Sequence, residues 1–406
     1  MTSTPDADVA QRPAAVPQLE SLTSMRFFAA LVVVVHHAGW MATSSHAAYD
    51  VLEIGYIGVS FFFVLSGFVL TWSLSLTRTT RRFYWLRFAR IWPLHAVTAA
   101  YAGLVLANQF WVPGAAGITA IFTCAHAFVT SKHTYYGLNG VSWSLGCEAF
   151  FYLLFPFAVR LLLGRSRRLL WTVVAVDVVA IAVIPWAFYT IGGPNGWAAQ
   201  HSDWVFFINP AFRFGEFLLG VALGCLFRDG WRPSLPLGFG VFAATATTGV
   251  VAWLAVAHGI RTPRPYYAAA VVPWFGLIIA AASANDVTRR PSMLRSPTLV
   301  FLGEASFALY LTHQIVQRSF NWETIGSVRP GPSAVAFGCY LAVVIAVAAA
   351  AHRLFERPVE RALRRLPVGS RPPTERIVPP ATAVAALTQS VTVEDPGAAQ
   401  RLTTRP

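Results

Sequence analysis

Arg26 and His37 are ionisable residues in an otherwise apolar segment, MRFFAALVVVVHHAGW (residues 25–40). They lie eleven positions apart, close to three whole helical turns, so they share one face and are separated by about 16 Å along the axis. Ionisable groups inside an apolar helix usually belong to a site, and histidine is the commonest general base. We therefore predict that His37 is a general base near mid-membrane, the alternative being a packing histidine, and that His36 packs.

A pair of arginines and a carboxylate occur at the starts of two later apolar segments. Arg87 and Arg90 are three positions apart in RFYWLRFARIWPLH (82–95), so they lie on one helical face. Two arginines there could bind lipid phosphate or hold the phosphates of a ligand. Glu148 begins an apolar run in NGVSWSLGCEAFFYLLFP (139–156), where it could cap the helix or orient a histidine or a hydroxyl.

Two other polar features are expected to join helices. Arg213 and Glu216 are spaced i, i+3, which is close enough for an internal ion pair. Ser66 and Gly67 interrupt the apolar segment YIGVSFFFVLSGFVLTW (56–72), and small residues of this kind permit close helix approach. Both features are therefore predicted to be structural first, although Ser66 is also a candidate binding residue.

The segment FLGEASFALYLTHQIV (301–316) supplies a second histidine. Tyr310 and His313 lie one turn apart on one helical face, and His313 is the next candidate base if His37 is not the base. The cysteines show no metal-ligand spacing, so we predict no metal site and interpret them as small buried hydrophobic residues. These cysteines are Cys124, Cys147, Cys225 and Cys339.

The composition indicates which elements position these residues. Hydrophobic residues make up 55% of the 406-residue chain and charged residues only 12%, about half the share of a soluble domain. Apolar runs long enough to span a bilayer recur along most of the chain. This predicts an all-α polytopic membrane protein with about 10 transmembrane helices. The spans are expected near 26–42, 56–76, 91–108, 147–163, 169–190, 207–227, 236–257, 267–283, 298–317 and 334–354.

The basic residues orient the predicted spans. A net charge of +13 would suggest nucleic acid for a soluble protein, but here the basic residues gather between apolar runs, as in cytoplasmic loops. These clusters are at 78–90, 165–168, 288–295 and 352–365. All four lie on one side only if the apolar stretch 113–130, which contains His126, is re-entrant or interfacial. We therefore predict a multi-pass protein of the cell membrane with both termini in the cytoplasm.

The chain is expected to divide into three parts. Residues 1–20 form a polar N-terminal tail without the features of a signal peptide, and residues 21–365 form the membrane domain. Residues 366–406 are rich in Pro, Thr, Ala and Val without helical periodicity, so we expect them to be disordered in the cytoplasm.

Six motifs, taken in order, resemble the acyltransferase 3 family of integral membrane enzymes, which move acyl groups from acyl-CoA to hydroxyls. They are LTSMRFFAALVVVVHH, GVSFFFVLSGF, RFARIWP, WSLGCEAFFYLLFP, EFLLG and LGEASFALYLTH. The resemblance runs from about Leu19 to Glu360 and covers nearly all of the membrane part. One departure is Ser60 in the second motif, where the family frequently has aspartate.

The resemblance implies a function. A short acyl group would pass from acyl-CoA, used as a co-substrate with no bound cofactor, to a hydroxyl of a sugar-bearing or macrolide-type molecule or of a glycan. His37 and Glu148 would be catalytic. The donor and acceptor would be bound by Arg26, Arg87, Arg90, Ser66, Trp143, Tyr310 and His313. No esterase-like domain is appended, as in bacterial macrolide and natural-product acyltransferases. The alternatives are a proton-linked transporter, with the buried charges as its path, and a non-catalytic, flippase-like partner of a glycan pathway.

Overall fold

Helices make up the regular structure of the protein throughout the residues that this computed structural model describes, which are 17–43, 45–74, 79–192, 201–257, 264–320 and 333–369. No β-strand occurs within these ranges. The α-helices in chain order are α1 (Glu20–Ala38), α2 (His46–Glu53), α3 (Ile57–Trp72), α4 (Thr80–Leu104), α5 (Ala115–Phe122), α6 (Lys132–Tyr135), α7 (Trp143–Leu162), α8 (Arg167–Gly192), α9 (Pro210–Arg228), α10 (Leu237–Ala257), α11 (Arg264–Val287), α12 (Pro297–Glu304), α13 (Ser306–Ser319), α14 (Ala334–Ala351) and α15 (Arg357–Arg365).

The number of membrane spans is close to the prediction. Within the described ranges, eight helices are long and apolar enough to cross a bilayer, and α12 with α13 makes a ninth span if this pair, bent by 60°, crosses as one unit. The predicted span at 91–108 corresponds to the second half of α4. This helix has 25 residues and is about 37 Å long, which is sufficient to cross. Its N-terminal half is rich in arginine, which is why it is less apolar than the others. The prediction of an all-α polytopic membrane protein is confirmed.

Close contact between α3 and α9 forms the centre of the bundle. A Cβ atom at Gly67 of α3 would lie 2.1 Å from the Phe217 carbonyl oxygen of α9, and one at Gly220 would lie 2.0 Å from the Val64 carbonyl oxygen. Only glycine fits at both positions, so the two backbones touch. Such contacts replace the hydrophobic effect as the force that joins helices in lipid.

The first helix is fixed at its start by a distant carboxylate. The backbone N–H and the hydroxyl of Ser21 donate to the two carboxylate oxygens of Asp286 on α11, at 2.8 and 2.6 Å. Because the first N–H groups of a helix have no partner within it, Asp286 acts as a cap supplied from another helix. Further along, Gly303 of α12 lies against the Thr23 carbonyl oxygen. These contacts hold α1 beside α12 and α13, with the face that bears Arg26 turned inward.

The stretch 113–130 does not form a spanning helix. Its regular part, α5, has eight residues, which extend only about 12 Å. The His95 Nε2–H group of α4 donates to the Ile121 carbonyl oxygen at 2.9 Å, so α5 ends beside the middle of α4. His126 follows in a short 3₁₀ turn, with its ring parallel to that of His95 at 6.2 Å. Burial, together with the neighbouring His95, lowers the pKa of His126 to about 4, so this imidazole is neutral.

Labelling of introduced cysteines with an impermeant thiol reagent tests whether residues 113–130 cross the membrane. A cysteine introduced by Ser131→Cys should react with an impermeant thiol reagent in intact cells, whereas one introduced by Ser166→Cys should react only after permeabilisation. Both side chains are exposed, so access is limited by the membrane alone. The unsubstituted chain gives the background from the native thiols. The opposite pattern would show that 113–130 crosses.

The predicted tails fall mostly outside the described residues. Residues 1–16 and 370–406 are not described, so the expected disorder of 366–406 stays a prediction there. The described part of the C-terminal region is ordered by α4. The Trp85 indole N–H donates to the Leu363 carbonyl oxygen at 2.8 Å, and the Thr79 hydroxyl donates to the Gly369 carbonyl oxygen at 2.8 Å. Helix α15 is therefore docked along the start of α4.

Candidate active site

A cavity of about 550 Å³ lies between α1, α3, α4, α7, α12 and α13. Helix α1 lines it from its start up to Arg26, and α7 lines it from Ser144 to Tyr152. Its wall includes Arg26, Val59, Phe62, Ser66, Arg87, Arg90, Ser144, Leu145, Glu148, Tyr152 and Tyr310. The part of the wall that carries Arg26, Arg87 and Arg90 is the arginine end of the cavity.

Two arginines at the arginine end have no carboxylate partner. Neither Arg26 nor Arg87 forms a salt bridge within 4.0 Å with any described residue. The Arg87 guanidinium lies 5.8 Å from the ring centroids of both Phe83 and Tyr152, and its Nε has no hydrogen-bond partner within the described chain. An anion in the cavity would satisfy both cations, because guanidinium groups match the geometry of phosphate and carboxylate.

Arg90 differs from Arg87 although the two are only one turn apart. Its Nη1 bonds to Glu356 and, at 3.1 Å, to Glu360, and its guanidinium lies 5.4 Å from the Phe307 ring centroid. These glutamates come from the π-helical turn His352–Glu356 and from α15. No local pattern in the sequence indicates this pairing, because the partners are 266 and 270 positions away. Arg90 is therefore a wall residue whose charge is already compensated.

Glu148 is placed with the arginines. The Tyr152 hydroxyl donates to its Oε2 at 3.1 Å, and the Ser66 hydroxyl also bonds to Tyr152. Since Glu148 lies one turn further along α7 than Ser144, it is nearer the arginine end than Tyr310 is. Of the partners considered for Glu148, a histidine or a hydroxyl, the structure shows a hydroxyl, that of Tyr152. The catalytic role of Glu148 stays a prediction.

His37 and His313 form a pair at the far end of α1. His37 lies in the last turn of α1 rather than near its middle, because the helix ends at Ala38. Its Nδ1 is 2.9 Å from the Val33 carbonyl oxygen and 3.2 Å from His313 Nε2. His313 Nδ1 is in turn 3.2 Å from the Leu309 carbonyl oxygen. Each backbone carbonyl can only accept, so both Nδ1 atoms carry the hydrogen.

His37 and His313 are therefore both in the Nδ1–H tautomer. With its Nδ1–H donated to Leu309, His313 offers the lone pair on Nε2 as an acceptor for the His37 Nδ1–H group. His37 is left with its lone pair on Nε2, which is the form that a general base requires. His36 points differently: its ring meets Tyr56 edge-on at 5.9 Å. The structure thus gives the two adjacent histidines different surroundings.

Tyr310 lies between the cavity and the histidine pair. It is a wall residue of the cavity, and its ring centroid is 6.1 Å from that of His313. Its hydroxyl donates to the Val141 carbonyl oxygen at 2.9 Å and is 2.8 Å from Ser144 Oγ. His37 and His313 are not wall residues of the cavity in the described part of the chain. Tyr310 therefore connects the cavity wall to the histidine pair.

The remaining predicted residues are not wall residues of the cavity among those described. Arg213 Nη1 is 2.8 Å from Glu216 Oε1, both side chains are fully buried, and Arg213 Nη2 also donates to the Ser60 hydroxyl at 3.1 Å. This cluster links α9 to α3, and Ser60 takes part through a hydroxyl where the family often has a carboxylate. Trp143 packs against Phe207, with ring centroids 4.8 Å apart, and is not a wall residue among those described. In the described ranges, no group of three or more His, Cys, Asp or Glu residues could hold a metal ion.

A helical membrane bundle with arginines on a cavity wall and a pair of hydrogen-bonded histidines is compatible with a membrane transferase. The chain belongs to the Acyl_transf_3 family, because the model of that acyltransferase domain matches residues 19–353. It is therefore a multi-pass membrane O-acyltransferase, and the transporter interpretation is not favoured.

Known proteins give the same assignment. Acyltransferase MdmB of Streptomyces mycarofaciens is 33% identical over 393 residues, which cover 89% of this chain and 96% of that protein. Nodulation protein 10 of Rhizobium leguminosarum bv. viciae is 27% identical over 328 residues, 73% of this chain and 82% of that protein. O-acetyltransferase OatA of Staphylococcus aureus is 24% identical, and the alignment spans 73% of this chain but half of OatA. No solved structure matches the chain.

Proposed function

We propose that the protein transfers a short acyl group from acyl-CoA to a hydroxyl of a sugar-bearing or macrolide-type molecule, with a glycan as the alternative acceptor. The observation that supports this most directly is the pair of arginines without a salt bridge to a described residue, Arg26 and Arg87, in a cavity whose wall includes Tyr310, the neighbour of His313. The name of OatA, an O-acetyltransferase, supports a short acyl group and an oxygen acceptor.

The donor would bind with its phosphates at the arginine end. Arg26 and Arg87 supply the positive charge, and Arg90 adds hydrogen-bond donors while its charge is shared with Glu356 and Glu360. Arg26 and His37 are about 16 Å apart along α1. A CoA thioester carries its acyl group at the end of a long pantetheine arm, which suits such a separation between phosphate and reaction centre.

The chemistry would take place at His37. Its Nε2 removes the proton from the acceptor hydroxyl as the oxygen attacks the thioester carbonyl carbon. The new C–O bond forms, the C–S bond breaks, and the CoA thiolate leaves. The proton taken by His37 is then returned to the thiolate, so the histidine ends the cycle neutral. His313 keeps the Nδ1 hydrogen of His37 in place during both proton transfers, because it accepts that hydrogen at 3.2 Å.

Release of CoA thiol tests this proposal. Purified protein in detergent should release thiol from acetyl-CoA only when an acceptor is also present, and an acylated acceptor should appear in equal amount. A macrolide bearing sugar hydroxyls and a wall-type oligosaccharide serve as the two acceptor probes. Product from only one probe would identify the acceptor class. Thiol release without any acylated probe, or transport of the probe into vesicles without thiol release, would contradict the proposal.

A further inference from the structure

We propose that Tyr310 and Phe62 form the end wall of the donor cavity and limit the acyl group to a short chain, and that Ser144 fixes this limit by holding the Tyr310 hydroxyl. This inference rests on the proposed function, since it concerns the donor of that reaction. Beyond that function, Tyr310 and Phe62 would determine the acyl-chain length, and the hydrogen bond between Ser144 and Tyr310 would keep the Tyr310 ring in place.

The wall of the cavity has a charged part and an apolar part. Arg26, Arg87 and Arg90 form the first, whereas Val59, Phe62, Leu145 and the ring of Tyr310 form the second. A phosphate fits the first part and an apolar acyl group the second, because an apolar chain gains free energy when it leaves water for such a surface. The acyl group would therefore point towards Tyr310.

The apolar part of the wall is built to stay in place. The Tyr310 hydroxyl bonds both to the Val141 carbonyl oxygen, at 2.9 Å, and to Ser144 Oγ, at 2.8 Å. The Tyr310 side chain is 7% exposed, and the Phe62 ring meets it nearly edge-on with centroids 6.2 Å apart. A buried hydroxyl with two partners costs free energy to displace, because those partners would be left without hydrogen bonds. A longer acyl chain would have to displace the Tyr310 ring, so we expect it to bind more weakly.

The same wall lies beside the histidine pair. Tyr310 is one turn before His313 on α13, and its ring centroid is 6.1 Å from the His313 ring. A short acyl group fits in front of this wall, whereas a longer one would hold the thioester back towards the arginines or would displace the ring. Chain length and reactivity are therefore expected to change together.

The proposed wall can be tested without an acceptor by measuring the affinities of CoA thioesters whose acyl chains increase in length. We expect the dissociation constants of the purified full chain to be similar for acetyl- and propionyl-CoA and to rise by about tenfold for each methylene that no longer fits. Phe62→Ala should move this limit to longer chains. Tyr310→Phe and Ser144→Ala should each relax it, Tyr310→Phe more because it loses both bonds, and the double variant should equal Tyr310→Phe because the Ser144 bond is already lost there.

Phe61→Ala is the matched control. Phe61 is the neighbouring residue of α3, is buried, packs on Phe275 and is not a wall residue of the cavity among those described, so its removal should leave the order of affinities unchanged. If acyl-CoA binds but affinity does not depend on chain length, or if Phe61→Ala shifts the limit as Phe62→Ala does, the proposed wall is wrong and the donor site still stands. If neither CoA nor any thioester binds, the proposed function itself is wrong.

Discussion

His37→Ala should lower the rate of acyl transfer by about 10²–10⁴-fold, the usual loss when a general base is removed. The dissociation constant for acetyl-CoA should stay close to that of the unsubstituted chain, because His37 is not a wall residue of the donor cavity among the described residues. Thiol release with saturating acetyl-CoA measures the rate, and titration with acetyl-CoA measures the binding.

His36→Ala is the matched control for this prediction. The side chain is of the same type and adjacent in sequence, but its ring packs against Tyr56. Activity should fall only in proportion to the amount of folded protein. His313→Ala should give an intermediate loss, because His37 keeps its bond to the Val33 carbonyl oxygen but loses its second acceptor. A fully active His37→Ala enzyme, or a folded but inactive His36→Ala enzyme, would show that the base is another residue, with His313 the first to consider.

Arg87→Ala should raise the KM for acyl-CoA by about tenfold to a hundredfold and leave the folded protein intact. Hydrogen bonds to charged groups contribute about 1.5–3 kcal/mol, which corresponds to that range. Arg87 has no salt bridge with a described residue, so its removal leaves no carboxylate unpaired. Steady-state kinetics against acyl-CoA concentration measure the effect.

Arg90→Ala should instead lower stability. Its loss would leave Glu356, whose side chain is 2% exposed, without its arginine and with His352 Nδ1, at 3.0 Å, as its remaining partner, and breaking a buried pair costs about 3–5 kcal/mol. The double variant Arg90→Ala with Glu356→Gln should recover folded protein, whereas no second substitution should be needed to fold Arg87→Ala. If both single variants raised KM equally and unfolded equally, the distinction between the two arginines would be wrong.

The motifs led to His37, Arg26, Arg87 and Tyr310, and the structure places three of these on the cavity and the fourth in the histidine pair. His37 lies in the last turn of α1, because the helix ends at Ala38, and its position near mid-membrane stays a prediction. The sequence left open whether Glu148 caps its helix or orients a histidine or a hydroxyl. In the structure it accepts from the Tyr152 hydroxyl on the cavity wall, one turn further along α7 than Ser144.

The sequence by itself determined the class of fold and the set of candidate residues. In a bilayer every backbone N–H and C=O must be satisfied within the segment, so an apolar run of about 20 residues has to be a helix, and hydropathy alone reveals it. The positions of ionisable residues within such runs are equally local information.

Only the tertiary structure decided which of these residues meet. His313 reaches His37 across 276 positions, and Glu356 and Glu360 reach Arg90 across 266 and 270. These contacts depend on how α13 and α15 pack against α1 and α4, and helix packing in lipid is set by small differences in shape along many side chains rather than by a local pattern. For the same reason, two arginines three residues apart differ in their partners: Arg90 has two glutamates from the end of the membrane domain, and Arg87 has none among the described residues.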